Sequence, residues 1–416
     1  MKIIKLSAIA AAVALASVSV GVNAKTTLIK KDDLEVYTSM AVEVEKMVFR
    51  DRPRDGGSTI DQWDNEVEFG LGAKIGENWE AYFEMEVDNL QDNAESNTGS
   101  GGDIEFTSAY VSYKASQFGA KAGVFRDDMA GGTRIWFREH MSGAKLQYDI
   151  SDNVGVEFVS GILSEEGNAF ADDRQVSWFT TTVGGAYGTL GLAQDGNQGG
   201  ENITNDPDQD DVDDAFGDLY NVALGWGGKL GGISAEFEVN QNFGEAETGE
   251  DFKGYAAYGQ ISTKIGDHKP RLLVAYGSGD DDVTDNEVGE FRAARADTAF
   301  TKLMIDEGFV RRAVPSGSGD LAQDDIGNIT LLQVGNTFQV NNIWRTDVSA
   351  TYLALSEDND AGDNYLGTEI NFLNRWSLPI EGADVRLYLD LGYVFSGDAF
   401  GPDNVWLIEP GVRVWF

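Results

Sequence analysis

The residues able to do chemistry here are mostly carboxylates. The 416-residue chain carries 70 Asp and Glu against 31 Lys and Arg, with two His and no Cys. Without Cys, no thiolate nucleophile, disulfide or sulfur ligand set can form. His140 sits beside Glu139, and His268 lies two residues before Pro270; neither has a nucleophile or metal partner at a recognisable spacing. The patterns H-E-x-x-H and G-x-S-x-G do not occur. These facts argue against an enzyme and require no cofactor. The formal net charge of −39 argues strongly against a nucleic-acid partner and favours cations.

Acids gather in two runs. One holds Asp206, Asp208, Asp210, Asp211, Asp213 and Asp214; the other holds Asp280, Asp281, Asp282 and Asp285. The first opens like a calcium loop, with acids at alternate positions. Asp211 then stands where that loop needs Gly, and Gly217 where it needs a bidentate Glu. It reads as a solvated acidic loop, with weak Ca²⁺ or Mg²⁺ binding at Asp206, Asp208 and Asp210 as the alternative.

The other charges follow a rhythm of two. Over residues 63–75, Trp63, Val67, Phe69, Leu71 and Ile75 alternate with Asp64, Glu66, Glu68 and Lys74. Over 79–87, Trp79, Phe83, Met85 and Val87 alternate with Glu80, Tyr82, Glu84 and Glu86. Over 383–395, Val385, Leu387, Leu389 and Leu391 alternate with Asp384, Arg386, Tyr388 and Asp390. Period two means a strand with two chemically distinct faces. Eighteen such strands are expected, with sixteen as the other count. They fall near 34–48, 63–75, 79–88, 104–114, 117–126, 141–150, 153–163, 174–185, 188–194, 219–229, 232–242, 252–265, 269–277, 328–339, 343–355, 364–375, 384–395 and 404–416.

The connections alternate short and long. Gly76-Glu77-Asn78, Ser151-Asp152, Gly266-Asp267-His268 and Val340-Asn341-Asn342 are short; 50–62, 91–103, 195–218 and 279–327 are long, acidic and rich in Gly. Such asymmetry is that of an antiparallel up-and-down barrel across a membrane, with short turns on one side and long external loops on the other. The start of the chain agrees. Lys2 and Lys5 precede an apolar run that closes on Val22-Asn23-Ala24, a secretory signal peptide over 1–24. Residues 25–416 form the expected barrel. No later run of about 18 apolar residues occurs, but a barrel strand needs only about 9–11 residues with every second one apolar.

Charge against lipid at mid-depth costs roughly 2–4 kcal/mol for Lys or Arg, so the charged face must line the interior. Strand parity assigns to it the acids Glu43, Glu45, Glu66, Glu68, Glu80, Glu84, Glu86, Glu157, Glu236, Glu238, Asp347, Asp390 and Glu409. It assigns there too the bases Lys121, Lys145, Lys264, Arg271, Arg345, Arg386 and Arg413. Acids concentrate on the first three strands and bases lean to the second half, which predicts a transverse field across the lumen; local pairing and hydration of these charges is the alternative.

Two stretches resemble bacterial porins. Residues 104–113, Ile-Glu-Phe-Thr-Ser-Ala-Tyr-Val-Ser-Tyr, leading to Lys121-Ala122-Gly123-Val124, are similar to the hairpin before the constriction loop of trimeric Gram-negative porins. Ala275-Tyr276-Gly277-Ser278-Gly279-Asp280-Asp281-Asp282 is similar to a strand end in alginate-export-type 18-stranded barrels. The resemblance implies a passive outer-membrane pore for small hydrophilic solutes and ions, mildly cation-preferring, reached by Sec-type export. It implies contacts with outer-membrane lipid and lipopolysaccharide, a homotrimer, and recognition by the barrel-assembly machinery through the terminal strand ending at Phe416. It also implies an inward constriction loop. That loop is either 127–140, bringing Arg126, Arg134 and Arg138 to the narrow point, or 279–327, with Arg311 and Arg312. A substrate-specific channel for an organic solute, using these arginines, is the runner-up. A sheath for a periplasmic electron-transfer cytochrome is a third reading.

Overall fold

The computed structural model describes residues 26–50, 59–88, 104–128, 135–163, 174–195, 217–246, 249–282, 284–294, 300–306, 326–358, 362–381, 383–399 and 404–416. The expected signal peptide, Arg134, Arg311, Arg312, Asp206, Asp208 and Asp210 lie outside the described residues.

Among the described residues, twenty-one strands form one sheet: β1 (Thr26–Lys31), β2 (Leu34–Arg50), β3 (Thr59–Ile75), β4 (Trp79–Asp88), β5 (Ile104–Lys114), β6 (Phe118–Asp128), β7 (Arg138–Ser151), β8 (Val154–Leu163), β9 (Arg174–Val183), β10 (Ala186–Asp195), β11 (Asp218–Leu230), β12 (Ile233–Glu245), β13 (Asp251–Phe252), β14 (Tyr255–Thr263), β15 (His268–Gly277), β16 (Glu287–Val288), β17 (Ile329–Gln339), β18 (Trp344–Leu355), β19 (Tyr365–Ile380), β20 (Ala383–Ser396) and β21 (Val405–Trp415). With the short β1, β13 and β16 set aside, neighbours in sequence pair antiparallel, and β21 returns to pair with β2, closing a barrel of eighteen strands. Closure leaves no open edge of unpaired backbone groups, the condition for crossing lipid with strands. β1, β13 and β16 are short additions. β1 extends the ladder of β2 beyond the end of β21: Thr26 pairs with Thr38, and Phe416 exchanges hydrogen bonds with Met40.

Tight turns collect at one end of the barrel, the turn end. Val183-Gly184-Gly185-Ala186 and Leu230-Gly231-Gly232-Ile233 reverse in two residues, with Gly184 at φ 61° and Gly231 at φ 64°. Glycine suits that left-handed region because it has no Cβ. The long connections, 51–58, 89–103 and 196–217 among them, leave from the other end, the loop end. Proline obeys the ladder too. Pro379 lies in β19 beyond the first β18 pair, Trp344 with Trp376, so its missing N–H faces no strand on that side. Pro410 lies at the β2–β21 seam, where the pairing skips from Glu45–Gly411 to Val48–Ile408.

The outward face is apolar: Leu71, Phe158, Leu224, Phe237, Val274, Leu332 and Phe372 are all exposed. Aromatic pairs ring both ends of this band. Trp79–Tyr113, Trp226–Phe237 and Trp344–Trp376 lie towards the turn end, and Tyr220–Phe243, Tyr255–Tyr276 and Tyr352–Tyr365 towards the loop end. Aromatic girdles flanking an apolar band match the two interfaces of a bilayer. With the outward face given to lipid, the buried core has to lie inside the barrel.

Candidate functional site: the barrel interior

The interior has two parts. At the turn end is a vestibule of about 750 Å³, lined by β2, β3 and β17–β21. Its charges are held by neighbours on the same strand or one or two strands away. Arg413 lies 2.7 Å from Glu43 and 2.6 Å from Glu68, with Glu66 at 3.6 Å. Tyr388 donates its hydroxyl to Glu43 at 2.7 Å and Glu45 at 2.6 Å. Arg375 makes a bidentate pair with Asp390. Arg386 bonds Asp384 at 3.1 Å and lies over the Trp415 ring, while Arg345 reaches the same vestibule from β18. Glu66, Glu68 and Glu86 bring oxygens within 4.8 Å of one another, a spacing open to a cation, and Arg413 already reaches two of them.

Further round the wall, hydroxyl–carboxylate pairs repeat. Tyr37 donates to Glu80, Tyr82 to Glu84, Tyr187 to Glu238 and Tyr258 to Glu236. Their rings need room on a crowded inner face, and glycine supplies it: Tyr37 pairs in register with Gly72, Tyr187 with Gly225 and Tyr388 with Gly411. Lys145 bridges Asp127 at 3.0 Å and Glu157 at 2.8 Å, and Arg271 pairs with Asp347. Lys121 lies over the rings of Tyr110 and Phe125.

Towards the loop end the lumen is packed with side chains. Ile135, Trp136 and Phe137 are at most 1% exposed, as are Phe291, Ala293, Ala294, Leu303 and Met304. They pack with inward residues of the wall, among them Val159, Trp178, Leu331, Leu353, Val394 and Leu407. Phe137 meets Trp178 at 4.9 Å, and Phe300 stacks on Tyr258 at 5.3 Å. Two wall glycines form seats. A Cβ at Gly191 would fall 2.6 Å from the Trp136 ring, and one at Gly392 would fall 2.6 Å from Leu303. Wall amides finish the docking: Asn242 donates to the Arg292 carbonyl at 2.8 Å and Gln333 to the Phe300 carbonyl at 2.6 Å. Loop 127–140 and loop 279–327 are therefore not alternatives. Segments of both, 135–137 from the first and 291–294 with 300–304 from the second, lie inside, and the two loops touch, Ala294 N–H donating to the Trp136 carbonyl at 3.0 Å.

Strand parity placed Glu43, Glu66, Glu68, Glu80, Glu84, Glu86, Lys121, Lys145, Glu236, Glu238, Arg271, Arg345, Asp347, Arg386, Asp390 and Arg413 inward, and each occupies that parity here. Two expectations need correction. Arg126 alternates with the inward Phe125 and Asp127 and pairs with His140, so it faces out of the barrel, and Arg138 shares that parity opposite Asp128. These two do not converge on a narrow point. The transverse field gives way to local pairing, because bases such as Arg413, Arg375, Arg271 and Lys145 meet acids on nearby strands. The acids at 280–285 form a turn rather than a ligand set: Asp282 accepts from Thr284 and Asp285 from Glu287. Parity reasoning passed over Arg375, Glu369 and Lys302. The first two stand on the inward face of β19 and were open to it; Lys302 sits in a loop where no period guides.

A closed eighteen-stranded barrel with an apolar girdle and a charged interior defines the class: the chain has the fold of the outer-membrane porins. No protein-family model matches the chain, and no curated protein matches it in sequence. Solved structures match it in fold. OccAB4 of Acinetobacter baumannii is 11% identical, with a TM-score of 0.56 over 91% of this chain and 98% of that one. OpdK of Pseudomonas aeruginosa, crystallised with vanillate, is 12% identical, with a TM-score of 0.57 and coverage of 91% and 98%. OccD3 (OpdP) of the same organism is 11% identical, with a TM-score of 0.56 and 96% of each chain covered. At these identities the likeness concerns the fold.

Proposed function

We propose that the chain is a passive diffusion channel for small hydrophilic solutes and ions, with a mild preference for cations. The observation that carries this reading is the vestibule at the turn end, a space of about 750 Å³ walled by acidic and basic side chains on strands whose outer faces meet lipid. Such a wall offers a permeating solute hydrogen bonds and counter-charges in place of its hydration shell. The preference for cations rests on the excess of inward acids on β2–β4, which are only partly met by Arg413 and neighbouring bases. Its strength falls as salt rises, because the Debye length shrinks from about 10 Å at 0.1 M to about 3 Å at 1 M.

A substrate-specific channel for an organic solute is the second reading, favoured by Arg345 and Arg386 in the vestibule rather than by the loop arginines. A cytochrome sheath would need a lumen able to admit a protein, and segments 135–137, 291–294 and 300–304 occupy that space. Planar-bilayer recordings across a KCl gradient test the leading reading. Steady conductance with a reversal potential favouring K⁺ is expected. A reversal potential favouring Cl⁻ sinks the cation preference, and conductance blocked by one class of organic solute favours the second reading.

A further inference from the structure

Lys302 stands where the two parts of the lumen meet. It begins the helical turn Lys302–Asp306 and roofs the vestibule, with its Nζ 3.0 Å from Glu409. Three adjacent wall strands hold it. On β19, Glu369 is wholly buried and accepts the backbone N–H groups of Lys302, Leu303 and Met304, each at 2.9 Å, together with the Asn371 amide at 2.7 Å. On β20, Gly392 leaves the space that Leu303 fills. On β21, Glu409, 3% exposed, receives the ammonium group.

A buried carboxylate on a barrel wall is costly unless convergent donors compensate its charge, and the turn supplies three. An amide at that position would offer one acceptor oxygen and turn its own N–H donors towards other donors. Glu369 therefore fits this segment and little else.

The charge count gives the seat a consequence. The vestibule lining holds five acids, Glu43, Glu45, Glu66, Asp390 and Glu409, against five bases, Lys302, Arg345, Arg375, Arg386 and Arg413. Four of these bases grow from wall strands, and Lys302 comes from an inward-folded loop. It sits at the roof, where the vestibule meets the packed half, and a fixed charge there acts on the ions the vestibule holds. We propose that Lys302 sets the ion selectivity of the pore and that Glu369 and Glu409 are positioning residues that hold it there; this rests on the reading of the chain as a diffusion channel.

The test compares reversal potentials of the wild-type barrel, K302Q, K302E, K302R and E369Q in planar bilayers across a KCl gradient, using only protein that shows the heat-dependent gel shift of a folded barrel. K302Q leaves five acids against four bases. It should raise the K⁺-to-Cl⁻ permeability ratio at least about threefold, the effect of one unit charge about 6 Å from an ion in water. K302E should raise it further, and K302R should keep the wild-type ratio. E369Q, which retains the lysine but loosens its seat, should shift the ratio in the same direction as K302Q and add open-channel noise. A purely structural role for Lys302 would change channel noise and leave the reversal potential alone. An unchanged reversal potential in conducting K302Q and K302E therefore overturns the proposal while the channel reading stands. A folded wild type that never conducts overturns both. If E369Q does not fold, the Lys302 variants decide the matter.

Discussion

The two halves of the lumen are made by the same strands at the same parity and differ in what those strands present. β8 points Glu157 inward towards the turn end, then Val159 and Leu163 towards the loop end. β18 goes from Arg345 and Asp347 to Leu353 and Leu355. β20 goes from Arg386, Tyr388 and Asp390 to Gly392 and Val394, and β21 from Leu407 to Glu409 and Arg413 as it runs back. The outward face stays apolar through both halves. Inward polarity thus reports what the wall meets, water or another part of the chain, and not depth in the bilayer. In a half that borders water, pairs whose members keep some exposure, such as Arg413 with Glu43 and Glu68, contribute little to stability. In a half that meets protein, packing and glycine seats decide the structure.

The largest effect expected in breaking this contrast comes from Trp136→Ala. Removing a wholly buried indole should weaken docking of the inward segment by about 3–5 kcal/mol. Single-channel conductance should then rise; an unchanged step size would mean the packed half does not limit flow.

Next comes Leu389→Arg, on the lipid face of β20. It should cost roughly 2–4 kcal/mol near the bilayer midplane, read by urea unfolding in lipid vesicles. Asp390→Asn, one residue along, faces the vestibule and loosens the Arg375 pair, so it should move the reversal potential more than the unfolding midpoint. Equal losses at both positions would remove the two-faced reading of the strand.

Gly392→Ala and Gly411→Ala place the same methyl group in the two halves. At Gly392 it meets Leu303 in a packed seat and should cost about 1–3 kcal/mol of docking, seen as a noisier channel. At Gly411 it meets the Tyr388 ring, which can swing into the vestibule, so channel noise should stay near wild type. Equal noise from both would mean the vestibule is as tightly packed as the other half.

The smallest effect on stability is expected from Arg413→Gln. Its pairs with Glu43 and Glu68 border a watery space, and the unfolding midpoint should move by no more than about 1 kcal/mol. The cation preference should still rise, most clearly at low salt.

Much of this was legible in the residues. The eighteen barrel strands fall where period two places them, often within a residue or two, because lipid on one side and a polar interior on the other impose alternation on each strand. β10 begins at Ala186 rather than 188, since Gly184-Gly185 makes the turn. β19 runs on to Ile380, past the expected end at 375 and with Pro379 inside it. The short β13 and β16 carry too few residues to show a period. A trace of the packed half was present as well. Ile135-Trp136-Phe137, Phe291, Phe300 and Leu303-Met304 are apolar residues in loops otherwise acidic, and strand ends such as Leu353-Ala354-Leu355 and Val405-Trp406-Leu407-Ile408 are apolar on both faces. Both signs say that something covers the inner wall there.

The sequence by itself determined the strand pattern, the facing of each wall residue and the sidedness of the connections, because each follows from neighbours along the chain and from the solvent a face must meet. Only the tertiary structure decided which loops fold inward, which acid meets which base, and that Glu369, Gly392 and Glu409 converge on Lys302. Those pairings join residues tens to hundreds of positions apart, brought together by closure of the barrel, and no local period encodes them.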